Sequence, residues 1–338
     1  MGFLPVLLVL AFTPGNVAAQ PAPTDERESA ETRAETIEPG RSVASDARSV
    51  DDGIIEGDHP QPENTGRHCL GESRTKWVLH QLGVALVNPT GAENTFRLGL
   101  CTPFIQTPGI LFDFTSIEAG INQQISPTYV HLGGYVQLTP LSIIQLRVEL
   151  NGVGIWPLKA FDRAGYFELS GYDAQFDPDT LVSDLAEGAF GWNLSIYGTL
   201  RARVGLGPTF ALILLSQASV EYWSVGEGDF YFNLRREVIA RKNDWIFAND
   251  ALFGLSFPVT PDLRLRVGGY DSIRYVFESG YFSHQVGGFV MAYWPTPGGI
   301  VRELSPFLRV GVHTDHDFRE GTVAGLAGVL VSYDLGPL

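Results

Sequence analysis

Between Trp192 and Gly205 the chain reads WNLSIYGTLRARVG, an alternation of apolar and polar positions. At strand period, Trp192, Leu194, Ile196, Gly198, Leu200, Ala202 and Val204 share one face, and Asn193, Ser195, Tyr197, Thr199, Arg201 and Arg203 share the other. Elsewhere Ile144, Leu146, Val148 and Leu150 oppose Gln145, Arg147, Glu149 and Asn151, while Leu308, Val310 and Val312 oppose Arg309, Gly311 and His313. Such segments start at Leu141, Gly207, Leu263 and Thr322. They exceed the roughly five or six residues usual in soluble strands and reach the roughly nine to eleven of a tilted membrane-spanning strand. In a soluble sandwich the apolar face is the core and the arginines sit outside. In a membrane barrel the apolar face meets lipid and the arginines line the lumen.

Turn chemistry and tryptophan placement favour the second arrangement. Tight joints carrying Pro or Gly occur at LTPLS from Leu138, VGLGPT from Val204 and PVTPDL from Pro258, and long polar joints run from Leu158 to Ala189 and from Ser224 to Asp244. Short turns at one end and long loops at the other predict an all-β, antiparallel up-and-down transmembrane barrel of about twelve strands, with both chain ends periplasmic. Trp77, Trp156, Trp192, Trp223, Trp245 and Trp294 all fall at strand ends, where an interfacial aromatic girdle belongs. Trp156, Trp192, Trp223 and Trp245 mark the outer rim, and Trp77 and Trp294 the inner one.

The first positions depart from this pattern. Residues 1–19 hold an apolar run from Phe3 to Phe12, a Pro14-Gly15 break and small residues before Gln20, the layout of a cleaved secretory signal whose positive charge comes from the terminal amine. Residues 20–68 are rich in Asp, Glu, Ser, Thr, Pro and Arg, with too little apolar surface to fold, and form a disordered acidic linker. The linker carries much of the net charge of −15, so that charge says little about the partners of the barrel. Residues 69–338 are the barrel, with no second boundary. The composition of 38 Gly, 21 Phe, 12 Tyr and 6 Trp, without a later apolar run of helical spanning length, leaves only β architectures for an exported chain. Cys69 and Cys101, the only cysteines, both fall near the periplasmic end, which makes a disulfide geometrically accessible in an oxidising compartment.

At the last strand, Gly328, Val331, Tyr333 and Leu335 fit a pattern of Gly followed by apolar or aromatic residues at alternate positions, although Leu326 stands where that pattern has a polar residue and the chain ends Gly-Pro-Leu. On these residues the chain resembles the Gram-negative outer-membrane β-barrel proteins, from about Cys69 to Leu338. The resemblance implies outer-membrane lipid and lipopolysaccharide as surroundings and the barrel-assembly machinery as a folding partner. It names no subfamily and leaves the oligomeric state open.

Signatures of chemistry are sparse: there is no G-x-S-x-G elbow, H-E-x-x-H, Walker loop or C-x-x-C. No cofactor or metal is called for, and nucleic acid is excluded by the topology. The nearest catalytic candidate is HTDHD, where His313, Asp315 and Asp317 would share a face at the outer rim with His284 on a neighbouring strand; polar residues meeting water at a strand end is the plainer account. Asp173, Asp177 and Asp179 lie in one loop but lack the Gly and distal Glu of a calcium-binding loop. Arg235, Arg236, Arg241 and Lys242 cluster in the other long loop, where they would face lipopolysaccharide phosphates or pair with acidic residues of neighbouring loops.

Arg147, Arg201, Arg203, Arg264, Arg266 and Arg309 fall on the lumen face as a band of guanidinium groups; on the lipid face each would cost about 2–4 kcal/mol near the midplane. A water-filled lumen with this lining would prefer anions. If the arginines instead pair with carboxylates such as Glu149 and Asp334, the interior is filled and conducts nothing. The leading expectation is thus a non-enzymatic barrel, either a narrow pore or a structural one. The alternatives are an outer-membrane hydrolase built on His313 and Asp315, acting on lipid or lipopolysaccharide, and a soluble exported barrel that binds an apolar ligand.

Overall fold

In the computed structural model, residue 69 and residues 74–337 are described, apart from 88–90, 106–110, 113, 159–164, 170–186, 208, 234, 296–298 and 317–318. The expected signal and linker, Asp173, Asp177, Asp179 and Asp317 lie outside the described residues. The strands are β1 (Lys76–Val87), β2 (Gly91–Pro103), β3 (Ser116–Ile125), β4 (Tyr129–Leu141), β5 (Ile144–Ile155), β6 (Glu168–Leu169), β7 (Ala189–Gly205), β8 (Ala211–Val225), β9 (Phe230–Asn233), β10 (Val238–Arg241), β11 (Asp244–Thr260), β12 (Leu263–Val276), β13 (Phe282–Pro295), β14 (Val301–Asp315) and β15 (Val323–Pro337).

Twelve of them close into an antiparallel barrel in the order β1-β15-β14-β13-β12-β11-β8-β7-β5-β4-β3-β2. Successive barrel strands are neighbours, and β1 closes on β15 from Lys76 opposite Pro337 to Val87 opposite Gly325, so the first and last strands meet at the inner end. Closure leaves no unpaired edge, which a backbone surrounded by hydrocarbon requires. The short joints at Ser142-Ile143, between Gly205 and Ala211 and at Pro261-Asp262 lie at the inner end, as the sequence pattern predicts.

The barrel is inside out. Ile121, Leu132 and Leu150 expose 59, 59 and 57 % of their surface outward, whereas Glu118, Asn122, Asn151 and Ser195 are buried in the interior. Apolar side chains on the outside are costly in water and satisfied in lipid; polar side chains enclosed together satisfy one another. Trp77, Trp156, Trp192, Trp245 and Trp294 face outward near strand ends. Trp223 departs from the expected girdle: it shares the inward face of β8 with Ser219 and Glu221 and donates its indole N–H to Glu221 Oε2 at 3.1 Å. Tyr222, on the opposite face, takes the outward place, 5.1 Å from both Trp192 and Trp245.

The long joints hold an element that alternation alone does not place. Strands β6, β9 and β10 form a separate three-stranded sheet in the order β10-β9-β6. Tyr231, Val238 and Ala240 of this sheet pack with Tyr129, Val153, Ile155, Trp223, Ile246 and Val276 of the barrel wall in one buried apolar cluster. The β9-β10 hairpin therefore lies inside the outer mouth, since burying those side chains against the inner wall removes them from water.

Cys69 and Cys101 form a disulfide, with a Cα–Cα distance of 5.6 Å, and Cys101 is fully buried on the inward face of β2. The bond joins residues 32 positions apart and contributes about 3–4 kcal/mol by restricting the unfolded chain. Denatured, unreduced protein is expected to show no free thiol. Labelling of both cysteines under those conditions contradicts the bond.

Candidate functional site

The pleat sends alternate residues of each strand inward, so every barrel strand contributes a polar row to the lumen. Where these rows meet at mid-depth they enclose a cavity of about 210 Å³, walled by Arg97, Arg147, Glu149, Gln124, Gln137, Gln145, Tyr197, Gln217 and others. Arg147 Nε lies 2.7 Å from Glu149 Oε1, and its guanidinium stacks over the Tyr197 ring with 4.4 Å to the centroid. Glutamines, with a donor and an acceptor each, make much of this wall able to bond solutes of either polarity.

All six arginines expected on the lumen face are there. Arg201 donates from Nε to the Ser142 carbonyl at 2.8 Å, tying it to an inner-end turn. Arg264 Nε reaches Ser256 Oγ at 3.4 Å, and Arg266 stacks over Tyr293 at 4.7 Å. Arg203 shares the inward face of β7 with Arg201. Arg309 stacks over Tyr270 at 4.0 Å and lies 3.6 Å from Asp250 Oδ1. Of the two carboxylates named as partners, Glu149 pairs with Arg147. Asp334 pairs instead with Lys76 at 3.1 Å and Arg302 at 2.8 Å, at the inner rim. Arg201, Arg203, Arg264 and Arg266 lie in the inner half, which also holds, among the described residues, the buried carboxylates Glu118 and Glu303.

Two cations of the long loop are not where the sequence placed them. Arg235 and Arg236, expected either at lipopolysaccharide phosphates or on acidic residues of neighbouring loops, turn inward at the tip of the β9-β10 hairpin and pair with carboxylates of the barrel strands. Arg235 Nε lies 3.4 Å from Glu93 Oε2. Arg236 grips Glu221 with Nε, at 3.0 Å, and with Nη2. Each carboxylate is already held by the wall: Glu221 by Ser219 and Trp223, Glu93 by Tyr129 and Thr95. Burial opposes the charge on both arginines. For Arg235 the adjacent Glu93 more than offsets it and raises the pKa, while Arg236, with Arg274 also close, is lowered. The hairpin goes inward because these buried carboxylates need cations, which water or lipid phosphate outside would not supply to them. Arg241 stays exposed, 3.9 Å from Glu278, and Lys242 is half-buried.

The expected His313-Asp315 pair is not assembled. The β13-β14 register matches His284 with Asp315 but Gln285 with His313, so Thr314 is an extra residue and alternation breaks there. His313 faces inward and is buried, 4.9 Å from the His316 ring, while Asp315 is exposed. Burial, with His313 and Arg319 nearby, pushes His316 down to about 3. Arg319 Nη2 lies 3.2 Å from Glu237 of the hairpin turn, adding a contact between the β14-β15 loop and the hairpin.

Sequence reasoning missed Glu93 and Glu221 as anchors. Their signal was present, since each occupies an inward position of an alternating strand; what each binds was not. Of the folding-signal residues, Gly328 faces inward, where a Cβ would lie 2.6 Å from the Phe307 ring, and Val331, Tyr333 and Leu335 lie on the opposite face of β15.

No family model matches the chain, and no curated protein matches it. Among solved structures it is similar to the NanC porin, at 8% identity over 76% of this chain and 100% of that one, with a TM-score of 0.33. It is similar also to an outer-membrane channel from Pseudomonas putida F1, at 10% identity over 79% of this chain and 97% of that one, with a TM-score of 0.41. The β-domain of the Bordetella autotransporter BrkA is 12% identical over 78% of this chain and 100% of that one, with a TM-score of 0.41.

Proposed function

We propose that the chain forms a narrow polar pore in the outer membrane, constricted from within by the β9-β10 hairpin and favouring anions. The observation that carries this reading is a polar lumen cavity of about 210 Å³ lined by Arg97 and Arg147, with Arg201, Arg203, Arg264 and Arg266 facing inward nearer the inner end of the same barrel. Fixed cations along a narrow path raise the local concentration of anions and repel cations. Export through a cleaved signal and passage through the barrel-assembly machinery belong to the same reading. So does contact of Arg241 and Lys242 with lipopolysaccharide phosphates.

The test is reversal potential under a salt gradient in planar bilayers. The native protein is expected to pass small currents with anion preference, and Arg201→Glu combined with Arg203→Glu, which changes lumen charge by about four units, to shift the reversal potential toward cation selectivity. Cation selectivity in the native protein contradicts the reading. So does the absence of current in both the native protein and a variant whose hairpin is released.

A further inference from the structure

The lipid-facing wall carries a hydrogen-bonded chain of three side chains from three adjacent strands. Asp271 of β12, His284 of β13 and Thr314 of β14 all lie on the outward face, since their neighbours Tyr270, Ser272, Ser283 and His313 are buried inward. His284 Nε2 lies 2.8 Å from Asp271 Oδ2, and His284 Nδ1 lies 2.7 Å from Thr314 Oγ1, which also approaches the His284 carbonyl at 3.4 Å. With Asp271 accepting from Nε2–H, Nδ1 is left as the acceptor for the threonine hydroxyl. A hydroxyl on an imidazole that a carboxylate holds on its other side is the arrangement that activates an oxygen nucleophile.

Two further observations separate this trio from incidental surface polarity. The pair shares the outward face with Ile273, Val286, Val310 and Val312 and with the exposed Asp315 opposite His284, and ionisable residues on a lipid-facing wall ordinarily serve a function. The β-bulge that leaves Thr314 unmatched in the β13-β14 register also puts its hydroxyl onto His284, and bulges re-aim side chains beside active sites. Depth fits as well. Tyr275, Phe277 and Phe282 lie nearer the outer end and expose their rings outward. Asp271 and His284 therefore sit just inside these rings, with Thr314 at the outer end of β14, so the trio lies at the interfacial level of the outer leaflet.

We propose that Asp271, His284 and Thr314 form an acyl-transfer site on the lipid-facing wall that hydrolyses carboxylic esters of outer-leaflet lipids. Thr314 Oγ1 attacks the ester carbonyl as its proton passes to His284 Nδ1. The tetrahedral intermediate collapses, the ester C–O bond breaks, and the leaving alkoxide takes the proton from His284. The acyl group now resides on the Thr314 oxygen. Water, deprotonated by His284, attacks that ester and releases the fatty acid, regenerating the threonine hydroxyl. The sum is ester plus water giving acid plus alcohol. Asp271 touches no reacting atom; it is a positioning residue that keeps Nδ1 turned to Thr314.

The site is independent of the lumen, so its test does not depend on conduction. The full chain, folded in detergent, is assayed for fatty-acid release from two substrates, acyl-labelled phosphatidylethanolamine and purified lipid A, which share acyl esters and distinguish the two sources. Release is expected from at least one. Thr314→Val and His284→Gln should each lower it at least about 100-fold while the gel shift of the folded barrel persists, and Thr314→Ser should retain it. Asp271→Asn should lower kcat more than it changes KM and displace the pH profile, which loss of structure alone would not do. A long-chain phosphonate should attach covalently to Thr314, as read by peptide mass. Release from neither substrate, or release unchanged in Thr314→Val, overturns the proposal.

Discussion

Arg235→Ala combined with Arg236→Ala is expected to open the outer mouth and raise single-channel conductance several-fold over the native protein. Glu221 is fully buried and receives Arg236 through two nitrogens, and Glu93 faces Arg235. Removing the cations leaves two carboxylates enclosed without their ionic partners, and breaking a buried pair in this way costs about 3–5 kcal/mol. The loss falls on the hairpin and not on the barrel. The hairpin is held by these pairs, by Arg319 to Glu237 and by an apolar cluster, whereas the barrel is closed by twelve strand ladders. The element with fewer ties leaves first, and water then reaches the carboxylates. Conductance in planar bilayers and cleavage by trypsin after Arg241 or Lys242 read the two consequences separately. Native conductance together with native protease resistance would show that the hairpin is not held by these arginines.

Gly268→Val is expected to abolish the folded barrel, measured as loss of the heat-dependent gel shift, whereas Gly83→Val should leave it intact. Gly254 and Gly268 face each other across β11 and β12. A Cβ on Gly268 would lie 2.0 Å from the Phe253 carbonyl oxygen and 2.5 Å from Gly254 Cα, both backbone atoms that cannot rotate away. The strands would have to part by more than an ångström, breaking ladder bonds, so the cost exceeds the about 1–3 kcal/mol of ordinary overpacking. Gly120 is constrained in the same way by the Leu98 carbonyl, at 2.0 Å. At Gly83 an added Cβ meets nothing within 4 Å, and there the side chain would enter lipid. Equal folding of the two valine variants would contradict the steric account.

Alternation along each strand already separates the residues that face lipid from those that face the lumen, because the pleat has a period of two and the environments on its two sides differ completely. Arg147, Arg201, Arg203, Arg264, Arg266 and Arg309 were therefore legible as lumen residues, as were the strand number and the tight inner turns. Periodicity fails where the backbone departs from period two or where the partner is remote. The single extra residue at Thr314 broke the His313-Asp315 pairing and put the threonine on His284 instead, and no local pattern announces a bulge. Trp223 was assigned to the girdle by its nearness to a strand end, but its parity on β8 puts it inside with Glu221. Arg235 and Arg236 lie in a joint whose residues carry no strand parity. Their direction was decided by Glu93, 142 positions away from Arg235, and by Glu221, which only barrel closure brings beneath the hairpin. A loop turns inward when buried charges on distant strands require it, and that requirement exists only once those strands have been assembled.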